Sequence, residues 1–577
     1  MAFILSSPYS LSSTTININH ASSSPSPFCP FTTKPSLISK NTQPKRHRYG
    51  SNKLTCTAKH SHGDQEDQPP QPNIQGNRRN VLLGLGSLYG AAATHNHPLA
   101  FAGPILPPDL TKCGPADLPE TTKPTNCCPP LGTKIIDFEP PPRRPLRQRP
   151  AAHLASDEYI RKYNKAVGIM RSLPSDDPRS FFQQANIHCA YCDGAYDQVG
   201  FPDLEIQVHN SWLFFPFHRW YLYFHERILG SLIGDPTFAL PFWNWDSPPG
   251  MQMPKLYTPR KSAIYDPLRN ASHQPPTLMD LDFDVDDTTN NPSIPANLAI
   301  MYKQMVRNSK TPRLFFGSEY RAGDEPDPGA GSVENVPHGT VHSWTGDNTQ
   351  PNNENMGIFY SAARDPIFFC HHSNVDRMWV IWKTIQGGIR RDITDPDWLN
   401  AAFLFYDENK NLVRVKVKDC LDPTALGYTY QDVPIPWLLK LPIPVRPKFK
   451  LKAQAQIVAR AAEKTTRKLV TPSSFPLVLD SALDRNKAAR FDVYVNDEDD
   501  RVITQENSEF AGSFVNVPHG HKMKMRKNMR TCLRLGLGDL LDDLEAEDDD
   551  SIRVTLVPRA GKGLITIGGI KVQVWED

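Results

Sequence analysis

The sequence predicts a mainly helical domain followed by a small all-β domain, and three stretches carry that prediction. His338-Gly-Thr-Val-His342 sets two histidines four residues apart, which on a helix puts both rings on one face, one turn apart. The run from His209 to Glu226 is a loop feeding an aromatic-rich segment whose apolar surface is continuous, the pattern of a helix buried on nearly all sides. From Ser474 on, short alternating segments recur at 490–496, 552–557 and 570–574, with turn residues between them, which predicts a β-sandwich.

At 577 residues the chain exceeds one ordinary domain, and 39% apolar content is enough for real cores. A net charge of +2, without a basic patch interleaved with aromatics, gives no case for nucleic acid. The 55 prolines argue for long irregular connections and against a tight-looped bundle. No apolar run reaches the roughly 18 to 20 residues of a membrane span, and no 20- to 50-residue repeat is present. Cys113, Cys127, Cys128, Cys189 and Cys192 crowd one end of the candidate mature chain, which suggests disulfides and an oxidising compartment.

Residues 1–76 are rich in Ser, Thr, Pro and Asn, have no acidic residue before Asp64 and gather Lys and Arg near 45–53, the composition of an organelle transit peptide. Residues 77–102 add Arg78-Arg79, a short apolar run from Val81 and the small-residue site Ala100-Phe101-Ala102, a twin-arginine export signal. Together they predict import into the chloroplast and then the thylakoid lumen, with a Tat translocon and a processing protease as partners. Residues 103–447 then form the main domain. It opens on a proline-rich arm pinned by cysteines, with helical pattern from Ser156 past Ile169. The segment from Ser180 ends in His188-Cys189-Ala190-Tyr191-Cys192. Residues 246–300, rich in Pro, Asp and Asn, read as loop with a short helix near the end, and His273 reads as a surface residue. Phe368 to Arg377 reads as a helix that Trp379 and Trp382 continue, and Val413 to Val417 alternates like a strand. A basic linker, 448–473, precedes the C-terminal domain, 474–577, whose acidic run from Asp539 to Asp550 reads as a solvated loop.

Two tight groups hold eight of the 18 histidines: 188, 209, 218 and 225, then 338, 342, 371 and 372. Sets of imidazoles without a carboxylate or thiolate ligand triad favour copper or zinc. No GxSxG elbow supports nucleophilic hydrolysis, and the aromatic surroundings exclude water, which suits oxygen chemistry better.

These segments resemble the paired copper-binding regions of the type-3 copper proteins, most nearly the plant polyphenol oxidases. The resemblance is carried by His188-Cys-Ala-Tyr-Cys192, Phe217-His218-Arg219-Trp220, His371-His372 with Val375-Asp376-Arg377, Tyr428-Thr-Tyr430, Phe491 to Asn496 and the bipartite signal. It implies a four-helix core around a dicopper site, one copper on His188, His209 and His218 and the other on His338, His342 and His372. It also implies a thioether between Cys192 and His209 and disulfides Cys113–Cys128 and Cys127–Cys189, and it assigns nothing to Cys370, Cys420 and Cys532. Phe359 corresponds to a bulky gate above the second copper, Glu334 to an acid that positions a water, and Asp376 to a bond that steadies the helix presenting His372. His225 is implied to be a packed helix residue. The implied activity is oxidation of o-diphenols to o-quinones with reduction of O2 to water, on small phenolic substrates. The C-terminal domain is expected to cover the site and keep the enzyme latent until the linker is cut. Gly339 stands where many hydroxylating tyrosinases carry Asn, so phenol hydroxylation is expected to be weak or absent. The alternative from another class is a haemocyanin-like oxygen carrier without turnover. Val517-Pro-His519-Gly-His521 echoes Val336-Pro-His338-Gly339 and is read as a turn in the sandwich rather than a third metal site.

Overall fold

The computed structural model describes residues 103–572 except 121, 133, 141–145, 285–291, 446–475, 497–502, 522–528, 548 and 550–551. The expected transit peptide, twin-arginine signal and linker therefore lie outside the described residues.

Four longer helices dominate the main domain. Helix α1, Asp157–Ser172, starts where Ser156 accepts a hydrogen bond from the Tyr159 amide, with Asp157 and Glu158 in the first turn complementing the helix dipole. Helix α2, Phe181–Cys192, is capped in the same way by Ser180. Helix α3, Phe214–Leu232, is buried at every position from Phe214 to Gly230, as its unbroken apolar surface predicts. The short helices α4, Gly339–Thr345, and α5, Phe359–Ala362, precede α6, Ile367–Trp382. Helix α3 packs on α1 and α6, and α2 packs on α5.

Aromatic stacking fills the space between them. Phe215 stacks on Phe315 at 4.5 Å and Phe315 on Trp382 at 4.3 Å, pairs that each add about 0.5–1.5 kcal/mol beyond the area they bury. Strands β1, Ile135–Asp137, and β2, Arg147–Arg149, come from the N-terminal arm. They pair in parallel with β4, Leu412–Lys416, and β5, Tyr428–Tyr430, while β3, Ala402–Tyr406, runs antiparallel to β4. The arm is also closed covalently: Cys113 pairs with Cys128 and Cys127 with Cys189, Cα atoms 5.8 and 5.7 Å apart. Cys189 neighbours His188 on α2, so the second bridge fixes the helix that presents the first histidine.

The C-terminal domain is two three-stranded antiparallel sheets. One runs β8 (Phe510–Asn516), β7 (Ala489–Val495), β10 (Val554–Ala560); the other runs β9 (Met529–Gly536), β6 (Pro476–Leu483), β11 (Ile565–Val572). Leu479, Val493, Phe514, Leu535 and Val554 share one core between the sheets. The acidic run corrects one expectation. It begins as helix α7, Gly538–Asp543, and Asp539 and Asp543 pair with Lys310 and Arg307 of the main domain. The partners lie more than 200 residues upstream, so charge density alone pointed to water. His273 is likewise half-buried rather than on the surface, stacked on Trp344 at 4.4 Å.

Candidate metal centre

Two clusters of imidazoles face each other between these helices. His188 comes from α2, His209 from the loop before α3 and His218 from the second turn of α3; their ring nitrogens lie within 4.8 Å of one another. The second cluster gathers His338, His342, His371 and His372 under the same limit. His338 closes the turn before α4, His342 lies within α4 at a ring separation of 4.6 Å, and α6 brings His371 and His372. His218 and His372 stack across the gap at 4.2 Å.

The hydrogen bonds orient these rings for metal. The Nδ1 of His188 donates to the Phe359 carbonyl at 2.8 Å, that of His218 to Phe214 at 2.8 Å, that of His338 to Glu334 at 2.8 Å and that of His342 to Met356 at 2.7 Å. His209 Nδ1 faces Gln207 Oε1 at 3.3 Å. With the proton fixed on Nδ1, Nε2 keeps its lone pair, and Nε2 of His188, His209, His218 and His338 is buried without a hydrogen-bond partner. An orphaned buried lone pair costs free energy unless a metal takes it, and a ring steadied through its other nitrogen is the usual support of a ligating histidine. Burial first, and neighbouring rings second, hold the histidines neutral; His218 is lowered to about 3, and His342, by burial alone, to about 4.

Of the two adjacent histidines on α6, His371 has Nδ1 occupied: Trp245 Nε1 donates to it at 3.1 Å. A neutral ring then carries its proton on Nε2. His372 has no partner on Nδ1, and its Nε2 lies 3.2 Å from His342 Nε2. Only His372 is thus free to offer a lone pair toward the cluster. His225 stacks flat on Phe369 at 3.5 Å, away from both groups.

The walls are aromatic. Phe214 lies 4.6 Å from His338 and 4.7 Å from His218, and Phe368 lies 4.2 Å from His372 and 4.9 Å from His188. Phe359 corrects the expectation that it stands above the second set: its ring stacks on His209 at 4.0 Å and its carbonyl binds His188, so it covers the first. The start of α5 packs on α2, and that contact decides which side the ring takes. Glu334 accepts from the backbone amides of Asn210, at 2.5 Å, and Gly331, at 3.3 Å. Burial pushes its carboxyl well above the usual range. Asp376, at the far side of α6, accepts from Arg219 at 2.6 Å, Arg149 at 3.3 Å, Tyr428 at 2.6 Å and Tyr430 at 2.5 Å. Burial opposes its charge, yet Arg219 and Arg149 hold it below the usual carboxylate range. Cys192 is a buried free thiol four residues after His188 on α2.

Sequence reasoning expected the C-terminal domain over this pocket but missed which of its residues form the cover. The segment 517–521 is not a turn within the C-terminal domain; it follows β8 and lies on the main domain. The ring of His519 stacks on Phe359 at 4.7 Å, and the Phe359 amide donates to the Pro518 carbonyl at 3.2 Å. Asn335 pairs with the Val515 amide at 2.9 Å, and a side chain at Gly339 would meet Val515 and Val517 at 3.3 Å. Asp327, Arg485, Asp193 and Glu205 complete the contact. The only sequence signal was the echo of VPHG, which marks a turn and says nothing of its location.

Residues 178–385 match the common central domain of tyrosinase, 392–442 the polyphenol oxidase middle domain and 450–574 the chloroplastic polyphenol oxidase C-terminal domain. A chloroplastic polyphenol oxidase of Malus domestica is 57% identical over 95% of this chain and 96% of its own. The chain belongs to the plant polyphenol oxidase family. The latent apple tyrosinase structure superposes with a TM-score of 0.70 at 57% identity, covering 76% of this chain and 99% of that one. Aureusidin synthase of Antirrhinum majus is 53% identical over 82% of this chain and 89% of its own. As a polyphenol oxidase the chain is a copper oxidoreductase of the chloroplast, with a helical tyrosinase core and a C-terminal domain. Among the described residues no helix is long and apolar enough to cross a membrane.

Proposed function

We propose that the enzyme oxidises o-diphenols to o-quinones, reducing O2 to water, and hydroxylates monophenols weakly or not at all. The observation that carries the reading is the double set of buried imidazoles, in which His188, His209, His218 and His338 keep Nε2 unbonded while Nδ1 is tied down. We assign one copper to His188, His209 and His218 and the other to His338, His342 and His372, within a four-helix core. Bound copper supplies the electron exchange between O2 and the phenol, since neutral imidazoles suit both of its oxidation states. The chain's own share is geometric. Nδ1 bonds fix the rings, Phe214, Phe359 and Phe368 exclude water, and a thioether from Cys192 would lock the His209 ring. Glu334 is assigned to holding a water, and Gly339 offers no side chain to share it, which is why hydroxylation is expected to be weak. Oxygen uptake tests this: about two coppers per chain, rapid turnover of catechol and slow turnover of tyramine are expected. Lag-free hydroxylation of tyramine would overturn the specificity, and zinc in place of copper the whole reading.

The C-terminal domain is proposed to be a β-sandwich that keeps the enzyme latent in the thylakoid lumen, with activating cleavage within 448–473. His519 against Phe359 supports this cover. Limited proteolysis there should raise catechol oxidation several-fold over the intact chain; equal activity before and after cleavage would refute latency.

A further inference from the structure

We infer that Asp327 is a specificity-determining group at the mouth of the site, selecting catechols that carry a cationic amine over those that carry a carboxylate. The inference rests on the catechol-oxidising reading above. Asp327 is wholly buried and held in the left-handed region at φ 61°. Its Oδ1 accepts from Asn210 Nδ2 at 3.2 Å, and the Asn210 carbonyl accepts from the Gly329 amide at 2.8 Å. Asn210 directly follows His209, so the carboxylate is fixed one residue of chain away from a histidine of the first set.

Among the described residues, the Arg and His side chains paired with Asp327 all belong to the C-terminal domain. Arg485 Nε lies 3.3 Å from its Oδ2, and Nε2 of His519 and of His521 each lie 3.0 Å from it. His519 does this while its ring stacks on Phe359. The covering segment therefore puts an aromatic ring against the pocket wall and positive charge on the rim carboxylate, the two features of an arylalkylamine. Asp327, His519 and His521 also bring ligand atoms within 4.8 Å of one another, but Arg485 already occupies the same carboxylate. His521 bridges Asp327 and Glu205 through its two nitrogens, as an imidazolium does and a metal ligand does not. When the segment leaves, Asp327 loses all three partners, and its charge faces the mouth beside Phe359.

The copper-loaded full chain, cleaved between 446 and 475 to give turnover, is assayed at low ionic strength with dopamine, 3,4-dihydroxyphenylacetate and the uncharged 4-methylcatechol. Values of kcat/KM are normalised to 4-methylcatechol in the same preparation, so that partial misfolding cancels. The dopamine to dihydroxyphenylacetate ratio is expected to fall about tenfold in Asp327→Asn, mainly through KM, and to recover in Asp327→Glu. In the parent enzyme the same ratio falls as salt screens the rim. A ratio unmoved by both Asp327→Asn and salt overturns the inference. Absence of turnover on 4-methylcatechol by the parent enzyme overturns the underlying reading, and this one with it.

Discussion

At the scale of single residues, a hydrogen bond separates two neighbours that composition cannot distinguish. His371 and His372 are both fully buried beside His338 and His342. Trp245 occupies Nδ1 of His371 and so places its proton on the nitrogen a metal would need. His372→Ala is therefore expected to bring copper from about two per chain to about one and to abolish oxygen uptake. His371→Ala should retain both ions, with a loss confined to stability. Metal analysis of the two purified variants checks this, and copper loss in His371→Ala alone would reverse the assignment.

Elements are held in register by charge inside the core. Asp376 on α6 joins Arg219 on α3, Arg149 on β2 and the tyrosines of β5, and Arg149 also reaches Glu226 at 2.9 Å. The network ties the arm to the two helices that carry His218 and His372. Asp376→Asn leaves Arg219 and Arg149 short of a buried counter-charge, which costs about 3–5 kcal/mol. Denaturant unfolding of the copper-free protein should show that loss, and the variant should bind the second copper less tightly. A change below about 1 kcal/mol would mean that the arginines find another partner.

For the whole molecule, the contact between the domains includes buried ion pairs, and two of their groups give it a pH dependence. Burial opposes the charge on Asp327, but Arg485, His519 and His521 hold it well below the usual carboxylate range. Its contribution to docking is complete above that usual range and disappears only as pH falls through the depressed value. Burial lowers His521, but Glu205 and Asp327 together raise it to about 10. Its contribution is complete below the ordinary histidine range and disappears as pH rises through about 10. The cover should therefore stay seated from mildly acidic to mildly alkaline solution and loosen in strong acid or above about pH 10. Catechol turnover by intact chain, assayed at one fixed pH after brief exposure to each test pH, reports this; loosening near pH 6 to 7 would contradict it.

Much of the site was legible because metal ligation imposes local spacing. The HxxxH pair, the His-His doublet and the aromatic helix each reflect a turn of backbone, and the helix start near Ser156 rests on a cap that acts over three residues. The alternation of β7 and β10 was equally local. The side of the site that Phe359 covers was not legible, because it depends on how α5 meets α2. Neither was the pairing of Asp539 and Asp543 with Lys310 and Arg307, nor the seating of His519 and His521 over Asp327. Sequence by itself determined the clustered histidines, the helices that carry most of them and the two-domain plan, since those follow from short-range periodicity and donor chemistry. The tertiary structure alone decided which histidine nitrogens are free and which residues cover the pocket, because both depend on hydrogen bonds and charges joined across more than 300 residues of chain.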